Sequence, residues 1–209
     1  MTPIIITIVV SIMGAIYVIL PLLYSNARNS VIEQITALES NEILQPQPLA
    51  CLVWMVLVIA FWLSGTHSLV LCGFVLILAV AAYIDKVCEW VPDWVIYGAL
   101  WYSVAFHHTN VNQSLISSGL ILVFPLLLNF VEWLRNKKYL IASGDIYLLP
   151  SIGWWVQPEY AFALCGVAYL LACVVGKVFK TVTVPFIPFL SLIFIAYKTF
   201  EGVMPYAFS

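Results

Sequence analysis

Residues 68–85 read SLVLCGFVLILAVAAYID, an apolar run that carries no charge until it ends on an aspartate. A run of about 20 mostly apolar residues crosses the hydrocarbon core of a bilayer as a helix. Similar runs fill the rest of the chain, since 64% of its 209 residues are hydrophobic and only 9% are charged. In soluble domains about a quarter of the residues are charged. The sequence therefore predicts a membrane protein.

The apolar runs predict an all-α fold, a polytopic membrane helix bundle with about eight transmembrane helices, within a range of six to eight. Backbone groups in lipid must be paired within the protein, and these runs lack the alternation of β-barrel strands, so each is interpreted as a helix. Several runs are short, and short spans need a thinned bilayer or a water-filled cavity, so we expect function there. The predicted spans cover residues 3–24, 49–63, 68–84, 94–106, 115–134, 139–156, 160–178 and 184–200.

The longest polar stretch, residues 25–48, has an amphipathic period that predicts a helix on the membrane surface. We divide the chain into N-terminal spans, residues 1–65, which include this surface loop, and a membrane core, residues 66–209. Lys and Arg fall almost entirely in loops on one side of the predicted topology. The positive-inside rule places that side in the cytoplasm and both termini outside. The net charge of −2 and the lack of a basic block argue against nucleic acid as a partner.

Two aspartates lie at membrane depth, Asp85 and Asp145. Two predicted spans separate them, so both return to the cytoplasmic face and can meet, with Gly144 allowing a close backbone approach. Neighbouring carboxyl groups do not both ionise easily, so one keeps a proton while the other activates water. We predict Asp145, near the start of its helix, as the base and Asp85, at the end of its helix, as the acid.

Other uses of these aspartates are open at this point. A transporter or channel could carry protons or cations on them, and a non-catalytic assembly subunit could hold them only as helix caps. The five cysteines form no CxxC pair and have no histidine at ligand spacing, so we predict no metal and no cofactor. Tryptophans near span ends, among them Trp94, Trp154 and Trp155, are interpreted as aromatic belts at the membrane surfaces.

Three segments carry a family resemblance. In AAYIDKVCEWVPDW, residues 81–94, an aspartate ends an apolar helix and Pro92 and Asp93 follow. In ASGDIYLLPSIGWWV, residues 142–156, a GxGD-like motif precedes a Leu-rich helix and an Ile-Gly-aromatic turn. VPFIPFL, residues 184–190, has the pattern PF-x-PF before the last span. Taken in this order, the segments resemble those of the type IV prepilin peptidases, which are GxGD-type membrane aspartic proteases.

The resemblance implies an aspartic endopeptidase in the bacterial inner membrane, with its active site facing the cytoplasm. Its substrates would be prepilins or pseudopilins, cut after a Gly just before an N-terminal apolar helix, and the pilus assembly machinery would be a partner. The resemblance implies that Asp85 and Asp145 are catalytic. It also implies a set of residues that shape the site, namely Pro92, Asp93, Ser143, Gly144, Pro185, Phe186, Pro188 and Phe189.

Two features depart from the family pattern. Ala142 stands where the first glycine of GxGD is typical. Larger relatives hold a cytoplasmic domain with two cysteine pairs, associated with N-methylation, between their first and second spans, whereas residues 25–48 contain no cysteine. The resemblance thus supports a peptidase better than an N-methyltransferase that uses S-adenosylmethionine. A presenilin-like protease would share the aspartates, but its typical Pro-Ala-Leu element is not visible near the last span.

Overall fold

A computed structural model describes residues 47–64, 68–89, 91–106, 110–136, 141–180 and 184–207, without the side chains of residues 88, 136, 143 and 202–207. This part of the chain is all α-helical, which confirms the predicted fold class. The predicted span 3–24 and nearly all of the predicted surface helix 25–48 lie outside the described residues. The seven described helices are α1 (Pro48–Leu63), α2 (Leu69–Cys88), α3 (Asp93–Phe106), α4 (Val111–Asn136), α5 (Ser143–Gly153), α6 (Pro158–Phe179) and α7 (Ile187–Ala207).

Six of these helices pack as a closed ring, and α1 lies outside the ring against α2. The order around the ring is α2, α3, α5, α4, α6 and α7, with α7 packing back onto α2. The Tyr102 hydroxyl, late in α3, donates to the carbonyl of Val70 at the start of α2 over 2.9 Å. The Gln157 amide, just before α6, donates to Glu201 late in α7 over 3.0 Å. Both pairs of helices are therefore antiparallel.

Three helical segments have the length and hydropathy of membrane spans: Leu69–Val87, Val111–Arg135 and Pro158–Phe179, while Pro48–Leu63 is apolar but shorter. The chain is thus a helical membrane protein, and the count of eight spans stays a prediction. Several predicted boundaries differ from the helices: α4 begins at Val111 in place of residue 115, and α7 spans Ile187–Ala207 in place of residues 184–200. Helix α2 continues one turn past its aspartate and ends where Glu89 adopts a left-handed conformation and donates its N–H to the carbonyl of Asp85. Helix α5 has 11 residues in place of the predicted span 139–156.

Helix α5 ends inside the bundle, where serine hydroxyls pair its terminal carbonyl groups. At about 1.5 Å per residue the helix is only about 16 Å long, and the helix itself leaves its last carbonyls without partners. N–H groups of residues 154–156, in the turn that follows, donate to some of them. Serines of α3 and α4 donate to two carbonyls in the last turn of α5 and to two in the turn after it: Ser118 to Pro150 (2.9 Å), Ser103 to Ser151 (3.0 Å), Ser114 to Trp154 (3.2 Å) and Ser117 to Val156 (2.7 Å). An unpaired carbonyl in an apolar interior costs several kcal/mol. These serines therefore make a half-length helix tolerable.

The turn after α5 carries two tryptophans into the core, which corrects the aromatic-belt interpretation for them. Trp154 and Trp155 are 8% and 5% exposed, whereas Trp94 is 71% exposed. The ring of Phe74, from α2, stacks on Trp155 at 5.1 Å and meets Phe194 of α7 edge to face at 5.6 Å. The tryptophans lie inside because the short α5 ends within the ring and not at a membrane surface.

Replacing Trp155 by phenylalanine should destabilise the fold by about 1–3 kcal/mol. The substitution removes the indole N–H that donates to the Ser103 hydroxyl over 2.8 Å in the buried core, and it leaves a gap beside Phe74. Thermal unfolding of the purified protein in detergent measures the effect. Trp94→Phe, at an exposed position, is the matched control and should unfold like the wild type. Equal stability of the two variants would contradict the prediction.

Candidate active site

Asp85 lies in the last turn of α2 and is buried, with 3% of its surface exposed. Its Oδ2 accepts a hydrogen bond from the backbone N–H of Ile187, the first residue of α7, over 3.1 Å. The sequence starts a helix there because Pro188 lacks an N–H and suits a first helical turn. Asp85 therefore holds together the end of α2 and the beginning of α7, which are 102 residues apart in the chain.

Asp145 is half-buried in the first turn of α5, and its carboxyl group is near enough to Asp85 for the two charges to interact. The structure thus brings the two aspartates to the same end of the bundle. The α7 N-terminus that donates to Asp85 favours negative charge there, as the α5 N-terminus does for Asp145. Because a helix N-terminus lies near each aspartate, the helix ends do not indicate which of the two is the acid and which is the base. That assignment stays a prediction.

The 184–190 segment borders Asp85 and forms one wall of an apolar groove of about 560 Å³. Pro185, Pro188 and Phe189 line this groove, together with Lys86 beside the aspartate. The side chain of Phe186 is buried instead, with 5% exposed, and its carbonyl accepts the N–H groups of Phe189 and Leu190 at the start of α7. Three of the four residues expected to shape the site here thus face a groove.

The remaining residues expected to shape the site have other surroundings. Asp93 is exposed and begins α3, and the carbonyl of Pro92 accepts from Val95 and Ile96 in the first turn of that helix. Within the described residues no hydrogen bond joins Asp93 to either aspartate. A Cβ added at Gly144 meets nothing within 4 Å, so the expected close backbone approach at this glycine is wrong. The side chain of Ser143 lies outside the described part.

Asn129, which the sequence analysis did not single out, contacts the segment that leads to Asp145. Its amide Nδ2 donates to the carbonyl of Ile141 and its Oδ1 accepts from the N–H of Ile141, both over 2.9 Å. Asn129 is 7% exposed and, with Ile141 and Ala142, lines a second groove of about 660 Å³. In the sequence Asn129 is one of several polar residues of this span, and its contact with Ile141 becomes visible only in the structure.

The sequence of this chain is similar to that of a known protein family. The model of the type IV leader peptidase family matches residues 72–197, which is more than half of the chain. The chain belongs to this family. As a member of this family, the chain is an aspartic peptidase, which is a hydrolase. The match favours this class over a transporter or an assembly subunit. The matched residues include both aspartates and the 184–190 segment of the leader peptidase. No curated protein and no solved structure matched the leader peptidase.

Proposed function

We propose that this leader peptidase cleaves the leader peptides of type IV prepilins or pseudopilins at the cytoplasmic face of the bacterial inner membrane. The observation that carries the proposal is the interaction between Asp145 and the buried carboxyl group of Asp85. Two interacting carboxyl groups in a poorly hydrated site share a proton, which provides an acid and a base together. The family match over residues 72–197 supports a peptide as the substrate.

In this mechanism the ionised aspartate takes a proton from a water molecule, whose oxygen bonds to the scissile carbonyl carbon. The protonated aspartate gives its proton to the carbonyl oxygen, and a tetrahedral diol forms. The C–N bond then breaks as the first aspartate protonates the leaving nitrogen and the second takes a proton back from the diol. Because each aspartate returns to its starting state, no other proton donor is needed.

The cytoplasmic orientation is supported by the distribution of positive charge. Lys86, Arg135 and Lys177 lie in the last turns of α2, α4 and α6. Lys198 lies near the opposite end, where it pairs with Glu201, the residue that also binds Gln157. Basic residues concentrate on the cytoplasmic side of membrane proteins. The proposal therefore keeps the predicted topology of about eight spans, with the aspartates inside and both termini outside.

The groove beside Asp85 supports a substrate that arrives as an apolar helix. Its walls include Leu49 and Val53 of α1, opposite the 184–190 segment, and both of these side chains are exposed. A substrate held in the membrane diffuses in two dimensions, and its scissile bond reaches a site at the interface already oriented. We propose that the apolar segment after the cleavage site enters here.

Co-expression with an epitope-tagged prepilin tests the proposed function. We expect the wild-type enzyme to shift the tagged protein to lower mass, and N-terminal sequencing to find the cut directly after the glycine before the apolar helix. We further expect mass spectrometry to find a free amino terminus on the product, because residues 25–48 contain no cysteine. An unshifted prepilin would refute the leader-peptidase proposal, and a methylated product would refute the proposed lack of methyltransferase activity.

A further inference from the structure

We infer that Asn129 is a positioning residue for Asp145, setting the residue at which α5 begins and hence the direction of the Asp145 side chain. This inference rests on the proposed function, because it concerns the aspartate that acts on the peptide. Asn129 belongs to α4 and acts on Asp145 through the backbone of Ile141.

The N-cap position of α5 provides no side-chain cap among the described residues. Its N-cap residue is Ala142, which has no polar side chain and makes no capping hydrogen bond. Helices normally begin with a Ser, Thr, Asp or Asn that accepts from the first free N–H groups. A helix without such a cap frays or shifts its start more easily, and here the first turn carries a residue of the proposed dyad.

Asn129 defines where α5 begins by binding Ile141, the residue before the N-cap. The carbonyl of Ile141 accepts from the Asn129 amide, and the carbonyl of Ala142 accepts from Ile146 as the first hydrogen bond of the helix over 3.3 Å. The N–H of Ile141 is also taken by Asn129. With both of its backbone groups occupied, Ile141 is held outside the helix. Without this hold the first turn of α5, which contains Asp145, would fray more easily.

One helix therefore holds α5 at both ends. Asn129 binds the residue before the N-cap, and Ser118, three turns earlier in α4, donates to the carbonyl of Pro150 in the last turn. Its neighbour Ser117 donates to Val156, in the turn after α5. Ile121 and Pro125 lie between these sites on the same face of α4 and are fully buried. The hydrogen bonds of Asn129 are made to Ile141, four residues before Asp145. The hydrogen bond of Ser118, at the other end of α5, joins Pro150 and neither aspartate.

This difference provides a matched control. Asn129→Leu introduces an apolar side chain of similar size and removes both hydrogen bonds to Ile141. Ser118→Ala removes one hydrogen bond to the same helix at the opposite end. Asn129→Ser, whose side chain is too short to reach both backbone groups, is a second variant if Asn129→Leu does not accumulate. Each enzyme is purified as the full chain in detergent, and its folded fraction is measured by thermal unfolding.

The first readout is the cleavage kinetics of a purified prepilin. We expect the Asn129 variants to lower kcat about 10- to 100-fold with little change in KM, because the groove that receives the substrate is intact while Asp145 is misaligned. Ser118→Ala should keep kcat within about twofold of the wild type. An unchanged kcat in both Asn129 variants, or a loss that follows the folded fraction equally in Ser118→Ala, would overturn the inference.

The second readout is hydrogen exchange of the backbone amides of residues 141–146, which does not depend on activity. We expect faster exchange there in the Asn129 variants and not in Ser118→Ala. If the wild type cleaves no prepilin, the proposed function fails, yet faster exchange confined to the Asn129 variants still supports the hold on α5. Wild-type exchange rates in those variants would overturn it whatever the enzyme cleaves.

Discussion

Asp145→Asn should abolish prepilin processing, with a loss of at least roughly 1,000-fold in the rate of cleavage, and Asp85→Asn should do the same. An amide cannot accept the proton of the attacking water, and it cannot give a proton to the scissile oxygen. Asp85→Asn keeps an oxygen that accepts from Ile187, so the helix contact survives while the chemistry does not. Single-turnover cleavage of tagged prepilin, with enzyme levels checked by blot, measures both effects.

Glu159→Gln is the matched control for these two variants. It exchanges a carboxylate for an amide at an exposed position in the first turn of α6. It should process prepilin like the wild type, at normal abundance. Cleavage that persists in Asp85→Asn or Asp145→Asn removes that residue from catalysis, and cleavage that persists in both would end the dyad mechanism.

The second large effect is expected at Gly153, the last residue of α5. A Cβ there would lie 2.6 Å from the Cα and 2.9 Å from the backbone nitrogen of Ser118. Backbone atoms cannot rotate away, so Gly153→Ala must push α5 and α4 apart and stretch the serine hydrogen bonds between them. We expect a loss of about 2–3 kcal/mol in the free energy of unfolding, larger than the ~1 kcal/mol that alanine gains within a helix.

Gly98→Ala, within α3, tests whether the effect comes from contact. A Cβ at Gly98 or at Gly119 meets nothing within 4 Å, so both substitutions should leave stability unchanged or slightly raised. Thermal unfolding of the three variants in one detergent compares them directly. If Gly153→Ala is as stable as Gly98→Ala, α4 and α5 do not approach each other as closely as described.

Much of the fold and the dyad could be predicted because they depend on patterns that are local in the chain. Apolar length identified the α2, α4 and α6 segments, and counting the crossings between Asp85 and Asp145 predicted that both lie at one end. These conclusions need only the order and character of residues along the sequence. The PF-x-PF segment was expected at the site from the family resemblance, and Ile187 within it binds Asp85.

The supports of α5 could not be predicted, because they depend on which helices become neighbours. Ser117, Ser118 and Asn129 are ordinary polar residues of a long span until the end and beginning of α5 come against them. The length of α5 itself was overestimated, since Pro150 and Gly153 lie in an apolar run that continues beyond the helix. The interior position of Trp155 follows from that shortness and was missed with it.

The hydroxyl groups that complete α5 also bear on how the protein is made. Helix α5 is too short to cross a bilayer alone, and serines of α3 and α4 donate to the carbonyls of Ser151 and Pro150 at its end. During biogenesis α5 is therefore not stable in lipid as an independent segment. It is expected to insert only against helices already in place. Asp145, in the first turn of α5, is therefore expected to take its place only after α3 and α4 have inserted.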